Sequence, residues 1–231
     1  MKVSTEQLLK EVQAMVSASH QIKHPLSGLL FSGKLTKRQL QEVIGQQSCI
    51  PLYNHKFHGN LYVVCPDHRW RARIAEIVYE EGSGKLFANG VSHHELYLRL
   101  GEALGIRREQ LWNWPLCAEA LAFRVHYEAV CARSFLEGIS MHTLAGESQT
   151  SGYVLRVAEA LKKYHDLSDK DVLFYTVHEE ADTDHANIGV ELLDEFARTE
   201  EDQQRVRKAV GESLMMRRLR DDGIYRAVLA V

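Results

Sequence analysis

The chain has 231 residues, of which 45% are hydrophobic and 26% are charged, an ordinary composition for a globular protein with a substantial core. Its net charge of -3 argues against a nucleic-acid binder that neutralises phosphates, and no apolar run is long enough to cross a bilayer. The four cysteines form no C-x-x-C pair and the N-terminus lacks the apolar stretch of a secretory signal, so we expect a reducing, cytoplasmic setting.

In chain order, apolar residues recur at spacings of three and four almost throughout, which predicts an all-α protein. Capping-box sequences begin at Ser4, Thr36 and Ser92, where a hydroxyl and a side chain three residues later can satisfy free helical N–H groups. Pro51 should kink or break the second long segment. No linker rich in Ser, Gly or Pro divides the chain, so we predict a single domain over residues 1–231, a bundle of about seven to eight helices. The predicted helices cover residues 5–21, 37–64, 68–81, 93–104, 117–132, 134–164, 169–198 and 201–222.

The segment 177–189, with the sequence VHEEADTDHANIG, spaces His178, Asp182 and His185 by four and three residues. At 100° per residue, positions four and seven apart fall within about 40° of the first, so the three side chains share one helix face. Two imidazoles and one carboxylate suit non-haem iron, manganese or zinc. The spacing therefore predicts a metal site, although a polar helix face with two incidental histidines would show it as well.

Other carboxylates and imidazoles could complete such a site from facing helices. Glu147 falls inside a predicted long helix among small and apolar residues, where an unpaired carboxylate would be costly. Glu80 and Glu81 end one predicted helix, and His93 and His94 begin the next. One glutamate and one histidine from these two pairs, added to Glu147 and the triplet, would hold two metal ions.

The segments YEEGSG, SHHELYLRLGEALG, GESQ and HEEADTDHA, in this order, resemble the haem-oxygenase-like di-iron oxidases. That family shares a seven-helix fold with pyrroloquinoline-quinone synthase, thiaminase II and haem oxygenase. The resemblance covers roughly residues 24–196, and H-x-x-x-D-x-x-H is its most specific element. It implies a haem-oxygenase-like bundle that binds two ferrous ions, Fe(2+), per chain. The ligands that it implies are Glu80, His93, Glu147, His178, Asp182 and His185, with Glu81 and His94 left open as alternatives to their neighbours.

The resemblance also implies an oxidoreductase that uses O2 on a small organic substrate in biosynthesis. We expect an amino acid or amino-acid-derived metabolite, with cleavage of a C–C bond or oxidation of its nitrogen, because a long fatty acid would need an apolar channel that the sequence does not mark. Carboxylates stabilise ferric iron, and imidazoles keep some affinity for ferrous iron. The expected partners are the substrate and O2, with no nucleic acid and no membrane, and a homodimer stays open.

Four alternatives share the fold. A metal-independent oxidase of the pyrroloquinoline-quinone synthase type would leave the ligand set without a role. A thiaminase-like enzyme would need a nucleophilic cysteine, for which Cys131 is the candidate, and a haem protein would need an axial histidine such as His20 or His24. A non-enzymatic interaction protein is the fourth. Relatives linked to 4-aminobenzoate formation carry a tyrosine where this chain has Ser27 and a lysine near Val157, so the resemblance argues against that route.

Several side chains could contact a substrate beside the metals. Lys85 and Arg124 could pair with its carboxylate, on the evidence of charge alone. Aromatic and apolar residues on the ligand-bearing helices could line its pocket, although residues at helical spacing more often belong to a core. These pocket candidates are Phe135, Met141, Tyr153, Phe174 and Tyr175.

Overall fold

The structure is a computed structural model that describes residues 1–150 and 152–231, and the side chains of residues 180–188 and 190 lie outside the described residues. The described residues form helices and turns without a β-strand, which confirms the predicted all-α class. Twelve α-helices and one π-helical segment make thirteen helices within that part of the chain, so seven to eight was too few. In chain order they are α1 (Thr5–Ala18), α2 (Pro25–Ser32), α3 (Lys37–Gln47), α4 (Asn54–Val64), α5 (His68–Ser83), α6 (His93–Ala103), α7 (Arg108–Trp112), α8 (Ala118–Arg133), α9 (Phe135–Ile139), the π segment (Ser140–Gly146), α10 (Tyr153–His165), α11 (Leu173–Phe196) and α12 (Glu200–Leu229).

Two of the three longest predicted helices, those over 37–64 and 134–164, are interrupted, which accounts for part of the difference in number, whereas the third is continuous as α11. The first is broken around Pro51, as its missing N–H predicts, into α3 and α4. The second, over 134–164, is divided into α9, the π segment, a short 3₁₀ turn and α10, which follows Gly152 at a φ of 68°. Ser148 Oγ donates to the Leu144 carbonyl at 2.6 Å, and such local bonds compete with a regular helix. The short helices α2 and α7 have only 8 and 5 residues, too few to show a clear period.

The buried apolar residues form three clusters, and α11 contributes to each of them. Phe174 lies in the first cluster, Leu192 in the second and Leu193 in the third. Each such buried side chain contributes about 1.5–3 kcal/mol relative to an exposed one. The packing of α11 therefore determines where its polar face lies relative to the neighbouring helices.

The longest helix, α12, has 30 residues and packs against α8, α3 and the π segment. Its buried face brings arginine side chains next to the helices that surround the interior cavity described below. No described helix combines the length and the apolar character that a membrane span requires.

Candidate metal centre

Three side chains of the metal-ligand type, from three different helices, meet in the interior. Glu81 lies near the end of α5, His93 is the first residue of α6, and His178 lies in the second turn of α11. One ligand atom of each lies within 4.8 Å of those of the other two. A carboxylate and two imidazoles at this spacing suit a first-row divalent metal.

Glu81 and His93 are the closest pair in this cluster. His93 Nδ1 lies 3.2 Å from Glu81 Oε1, and two ligands bound at about 2.1 Å and about 90° to one metal ion lie about 3 Å apart. The Nδ1 atom is buried, and although Glu81 Oε1 is at hydrogen-bonding distance, the contact does not have the geometry of a hydrogen bond. The geometry therefore fits a metal ion held between the two side chains.

Glu80, the neighbour of Glu81, binds the loop that follows α5. Its carboxylate accepts hydrogen bonds from the backbone N–H groups of Leu86, at 2.6 Å, and Phe87, at 3.1 Å, and lies 3.2 Å from His93 Nε2. Glu80 thus holds the loop between α5 and α6 and, by accepting a hydrogen bond from the Nε2–H of His93, leaves Nδ1 facing Glu81, where a metal ion could replace its proton. The cluster contains Glu81, which the sequence had left open as the alternative, and the role of Glu80 as a ligand stays a prediction.

The charges of the pair reinforce each other. Burial acts to raise the pKa of Glu81, but His93, followed by His58 and His178, outweighs it and holds that pKa well below its usual range. Burial acts to lower the pKa of His93, but Glu81 and then Glu80 outweigh it, so this pKa is raised. In the metal-free protein the site is therefore an ion pair, and a metal ion would take the place of the proton on His93.

His178 is oriented by its own helix. Its Nδ1 donates to the Phe174 carbonyl at 2.6 Å, and because a carbonyl only accepts, this bond places the ring lone pair on Nε2. The ring lies 4.8 Å from the His93 ring, centre to centre, and 4.5 Å from that of Phe174. His94, the alternative to His93, instead contacts the Trp112 ring at 4.7 Å.

The other two members of the sequence triplet, Asp182 and His185, both belong to α11, but their side chains lie outside the described residues. Their role as ligands, inferred from the four- and three-residue spacing, stays a prediction.

Glu147 lies in a second group of polar side chains that lines the same cavity. Its Oε1 is 3.0 Å from His142 Nε2, which in turn is 2.9 Å from His58 Nε2, while Tyr127 Oη is 2.9 Å from His142 Nδ1. Sequence reasoning missed His58, His142 and Tyr127. Positions 142 and 147 would lie about 140° apart on a regular helix, and only the π segment, with the Glu147 N–H bonded to the His142 carbonyl, makes them neighbours.

The cavity between the two groups has a volume of about 190 Å³. Three of the predicted pocket residues, Tyr153, Phe174 and Tyr175, line it. The other two, Phe135 and Met141, lie in the second apolar cluster instead. For comparison, a dry cavity of about 150 Å³ holds a benzene molecule, so this cavity suits a small metabolite.

The residues that a thiaminase-like enzyme or a haem protein would require have other environments in the structure. Cys131 is buried, and burial raises its pKa to about 12, which does not suit a nucleophilic thiolate. His20 accepts a hydrogen bond from the Ile22 N–H, and His24 Nε2 lies 2.9 Å from Asp222 Oδ1.

The helices and the three-residue cluster together define an all-α protein with a candidate metal centre at its interior cavity. The fold is that of known structures. A protein from Shewanella denitrificans, described as a domain of unknown function with a heme oxygenase-like fold, superposes with a TM-score of 0.77 at 18% identity, over 98% of this chain and 94% of that one. A CADD-like protein of unknown function from Nostoc punctiforme gives 0.78 at 14% identity, over 97% and 98%.

The chain belongs to the family described as iron-containing redox enzymes, whose sequence model matches residues 41–218. It is 26% identical over 183 residues to the 4-aminobenzoate synthase of Chlamydia pneumoniae, covering 77% of each chain. It is 23% identical over 216 residues to the 4-aminobenzoate synthase of Nitrosomonas europaea, covering 88% of this chain and 85% of that protein. The pyrroloquinoline-quinone synthase of Acinetobacter calcoaceticus is 31% identical over 111 residues, 46% of this chain and 41% of that protein.

Proposed function

We propose that the protein is a non-haem di-iron oxidase that uses O2 to oxidise a small amino acid or an amino-acid-derived metabolite. The observation that carries the proposal is the cluster of Glu81, His93 and His178 at the wall of the interior cavity, in a chain of an iron-containing redox family. We further propose that Glu147, Asp182 and His185 complete the site and hold the second iron.

The donor set fits iron on three counts. Two imidazoles and a carboxylate are the ligands that non-haem iron oxygenases use. The buried Nδ1 of His93 lies 3.2 Å from Glu81 Oε1 without the geometry of a hydrogen bond, and a cation held between the two atoms would satisfy both. Both histidines have a second ring nitrogen bonded to an acceptor, Glu80 for His93 and the Phe174 carbonyl for His178, as metal-bound histidines generally do. Bound iron would supply the activation of O2.

The protein's own side chains would supply the rest of the chemistry. His142 lies between Tyr127, His58 and Glu147, so this group can hold and move protons beside the reacting substrate. Apolar side chains, among them Ile50, Ile77 and Val154, line part of the cavity and would contact the apolar part of a substrate. The size of the cavity favours an amino acid over a long fatty acid.

The similar proteins that are named 4-aminobenzoate synthases do not extend the proposal to that product. Ser27 stands where the sequence resemblance implies a tyrosine in those relatives, and the lysine that it implies falls near Val157. In this chain Ser27 Oγ lies 3.5 Å from Tyr153 Oη and donates to the Gln21 carbonyl.

The first prediction tests the metal. Protein loaded anaerobically with ferrous iron should bind about two irons per chain, and His178→Ala should bind at least one fewer, because it removes a ligand of the described cluster. Elemental analysis after desalting measures both. His94→Ala is the matched control, since its side chain contacts Trp112 and not the cluster, and it should keep the wild-type iron content.

Two outcomes would contradict the proposal. Tight zinc binding without a response to iron would remove the di-iron assignment. O2-dependent turnover by protein stripped of metal would favour the metal-independent alternative. Consumption of O2 by the iron-loaded protein, accelerated by one amino acid in a panel and yielding a new product by mass spectrometry, is the result that supports it.

A further inference from the structure

Arg217 is a cation in the cavity wall without an acidic partner among the described residues. It lies on α12 and lines the cavity together with Arg220. The two described carboxylates that line the cavity and the guanidinium of Arg220 each have an oppositely charged or imidazole partner close by. These pairs are Arg220 with Asp221 at 2.7 Å, Glu81 with His93 at 3.2 Å and Glu147 with His142 at 3.0 Å.

The surroundings of Arg217 make the lack of an acidic partner energetically unfavourable. Its Nε atom is buried and makes no hydrogen bond to any described residue. Burial, together with the charge of Arg220, lowers the pKa of Arg217, yet a guanidinium stays protonated at physiological pH. The side chain is half-buried, and its guanidinium lies 5.5 Å from the centre of the Phe123 ring. A partly desolvated cation without a counter-ion is unfavourable, and an anion that entered the cavity would relieve this cost.

The position of Arg217 is open to a ligand because of Gly146. A Cβ atom at position 146 would lie 3.3 Å from Arg217 Nη2 and 3.2 Å from Tyr127 Oη. A side chain there would crowd both groups, whereas glycine leaves the guanidinium and the phenol hydroxyl next to each other at the cavity wall. Tyr127 also contacts His142, so this part of the wall adjoins the second polar group.

We propose that Arg217 binds the carboxylate of the substrate, which makes the substrate class a small carboxylic acid such as an amino acid or an aromatic amino acid derivative. The proposal rests on the proposed function and adds the group that recognises the substrate. The guanidinium binds a carboxylate through two parallel hydrogen bonds, which fixes its direction as well as its position. The remainder of the molecule then extends into the cavity that the metal cluster lines.

This assignment replaces the two cations suggested by sequence. Lys85 is exposed and lies 5.9 Å from the centre of the Tyr79 ring, and Arg124 stacks on the Tyr53 ring at 4.2 Å. The described lining of the cavity includes neither. Arg217 was not singled out because its helix carries several arginines, and only the fold shows which one faces the interior.

The test compares carboxylates with their neutral amides in metal-free protein, so that no iron can bind the carboxylate. The probe pairs are L-phenylalanine with L-phenylalaninamide and 4-aminobenzoate with 4-aminobenzamide, and titration calorimetry measures their affinities. Wild-type protein should prefer at least one carboxylate over its amide by about tenfold or more. Arg217→Gln should remove this preference, and Arg217→Lys should keep part of it. Arg218→Gln, an exposed neighbour on the same helix, should bind as the wild type does.

The outcomes separate this inference from the proposed function. Wild-type protein that binds neither carboxylate, or binds both members of each pair equally, overturns the role of Arg217 even if iron binds. A preference that persists in Arg217→Gln overturns it as well. A preference that depends on Arg217 in a protein that does not bind iron would instead leave the carboxylate site in place and remove the di-iron oxidase.

Discussion

Glu80 and Glu81 are neighbours on α5, but a helix turns by 100° per residue, so their carboxylates face different surroundings. Glu81 faces the cavity and His93 Nδ1, whereas Glu80 accepts two loop N–H groups. We expect Glu81→Gln to abolish iron binding at the described cluster. We expect Glu80→Gln to retain iron with an affinity lower by about 10–100-fold, the usual effect of losing an outer hydrogen-bond partner.

Substitution of Glu80 should also affect the stability of the fold. Because Glu80 is a buried acceptor of two backbone hydrogen bonds, Glu80→Gln should lower the free energy of unfolding by about 2–3 kcal/mol, measured by urea denaturation of the metal-free protein. Loss of iron in Glu80→Gln with retention in Glu81→Gln would restore the ligand assignment inferred from sequence. Equal iron loss in both variants would show that the two carboxylates cannot be separated in this way.

The loop that joins α5 to α6 determines where His93 lies, and two of its glycines test this. Gly84 has a φ of 61°, and a Cβ there would lie 1.9 Å from the Val91 carbonyl oxygen, while Gly90 has a φ of 80° with nothing within 4 Å. Gly90→Ala should therefore cost only the strain of the left-handed conformation, about 1–2 kcal/mol. Gly84→Ala adds a clash with backbone and should cost about 3 kcal/mol or more.

The position of the loop should also affect the metal. Gly84→Ala is expected to weaken iron binding, because relief of the clash moves the loop segment that leads into His93. Gly90→Ala should leave the iron affinity close to the wild-type value. Thermal unfolding and anaerobic iron titration measure the two effects. Similar losses of stability and of affinity in both variants would show that the loop does not position His93.

Helices with strong local signals could be predicted from the sequence, and those that depend on tertiary contacts could not. Thr36 forms the predicted capping box at the start of α3, and Ser92 accepts from the Glu95 N–H at the start of α6. The π segment has no such local signal, since its extra residue per turn is stabilised by packing against α12. For this reason the sequence located Glu147 but not its partner His142.

For the candidate site as a whole, residue types could be inferred more readily than residue numbers. The sequence indicated that carboxylates and imidazoles from the α5–α6 region and α11 meet, and the structure brings Glu81, His93 and His178 together. The choice between adjacent glutamates depends on which carboxylate the loop amides of Leu86 and Phe87 occupy, a contact that no periodicity encodes. The cavity cation Arg217 likewise depends on the rotation of α12 against its neighbours.

The cluster joins α5, α6 and α11, so a metal ion bound there should stabilise the fold as any ligand of the native state does.

The protons at the site determine how this stabilisation varies with pH. In the metal-free protein the pKa of His93 is raised, chiefly by Glu81 against the effect of burial, so the proton on His93 stabilises the fold below its ordinary pKa of 6.5. That contribution is lost as the pH rises through the raised pKa. The pKa of Glu81 is lowered, so its contribution is present above its ordinary pKa of 4.5 and is lost as the pH falls through the lowered value.

Iron must displace the proton from His93, so its affinity should increase with pH, by up to about tenfold per pH unit below the raised pKa of His93. The increase in unfolding temperature caused by ferrous iron should therefore be small near about pH 5.5 and should grow towards about pH 8, while the metal-free protein loses the contribution of the His93 proton over the same range. Anaerobic calorimetry of the iron-loaded and metal-free protein measures both curves, and proton release on binding, detected in buffers of different ionisation enthalpy, checks the cause. His93→Gln should abolish both the iron effect and its pH dependence, whereas His94→Ala should preserve them. An iron-induced increase that is the same at both ends of the range, or larger at low pH, would show that His93 does not exchange its proton for the metal.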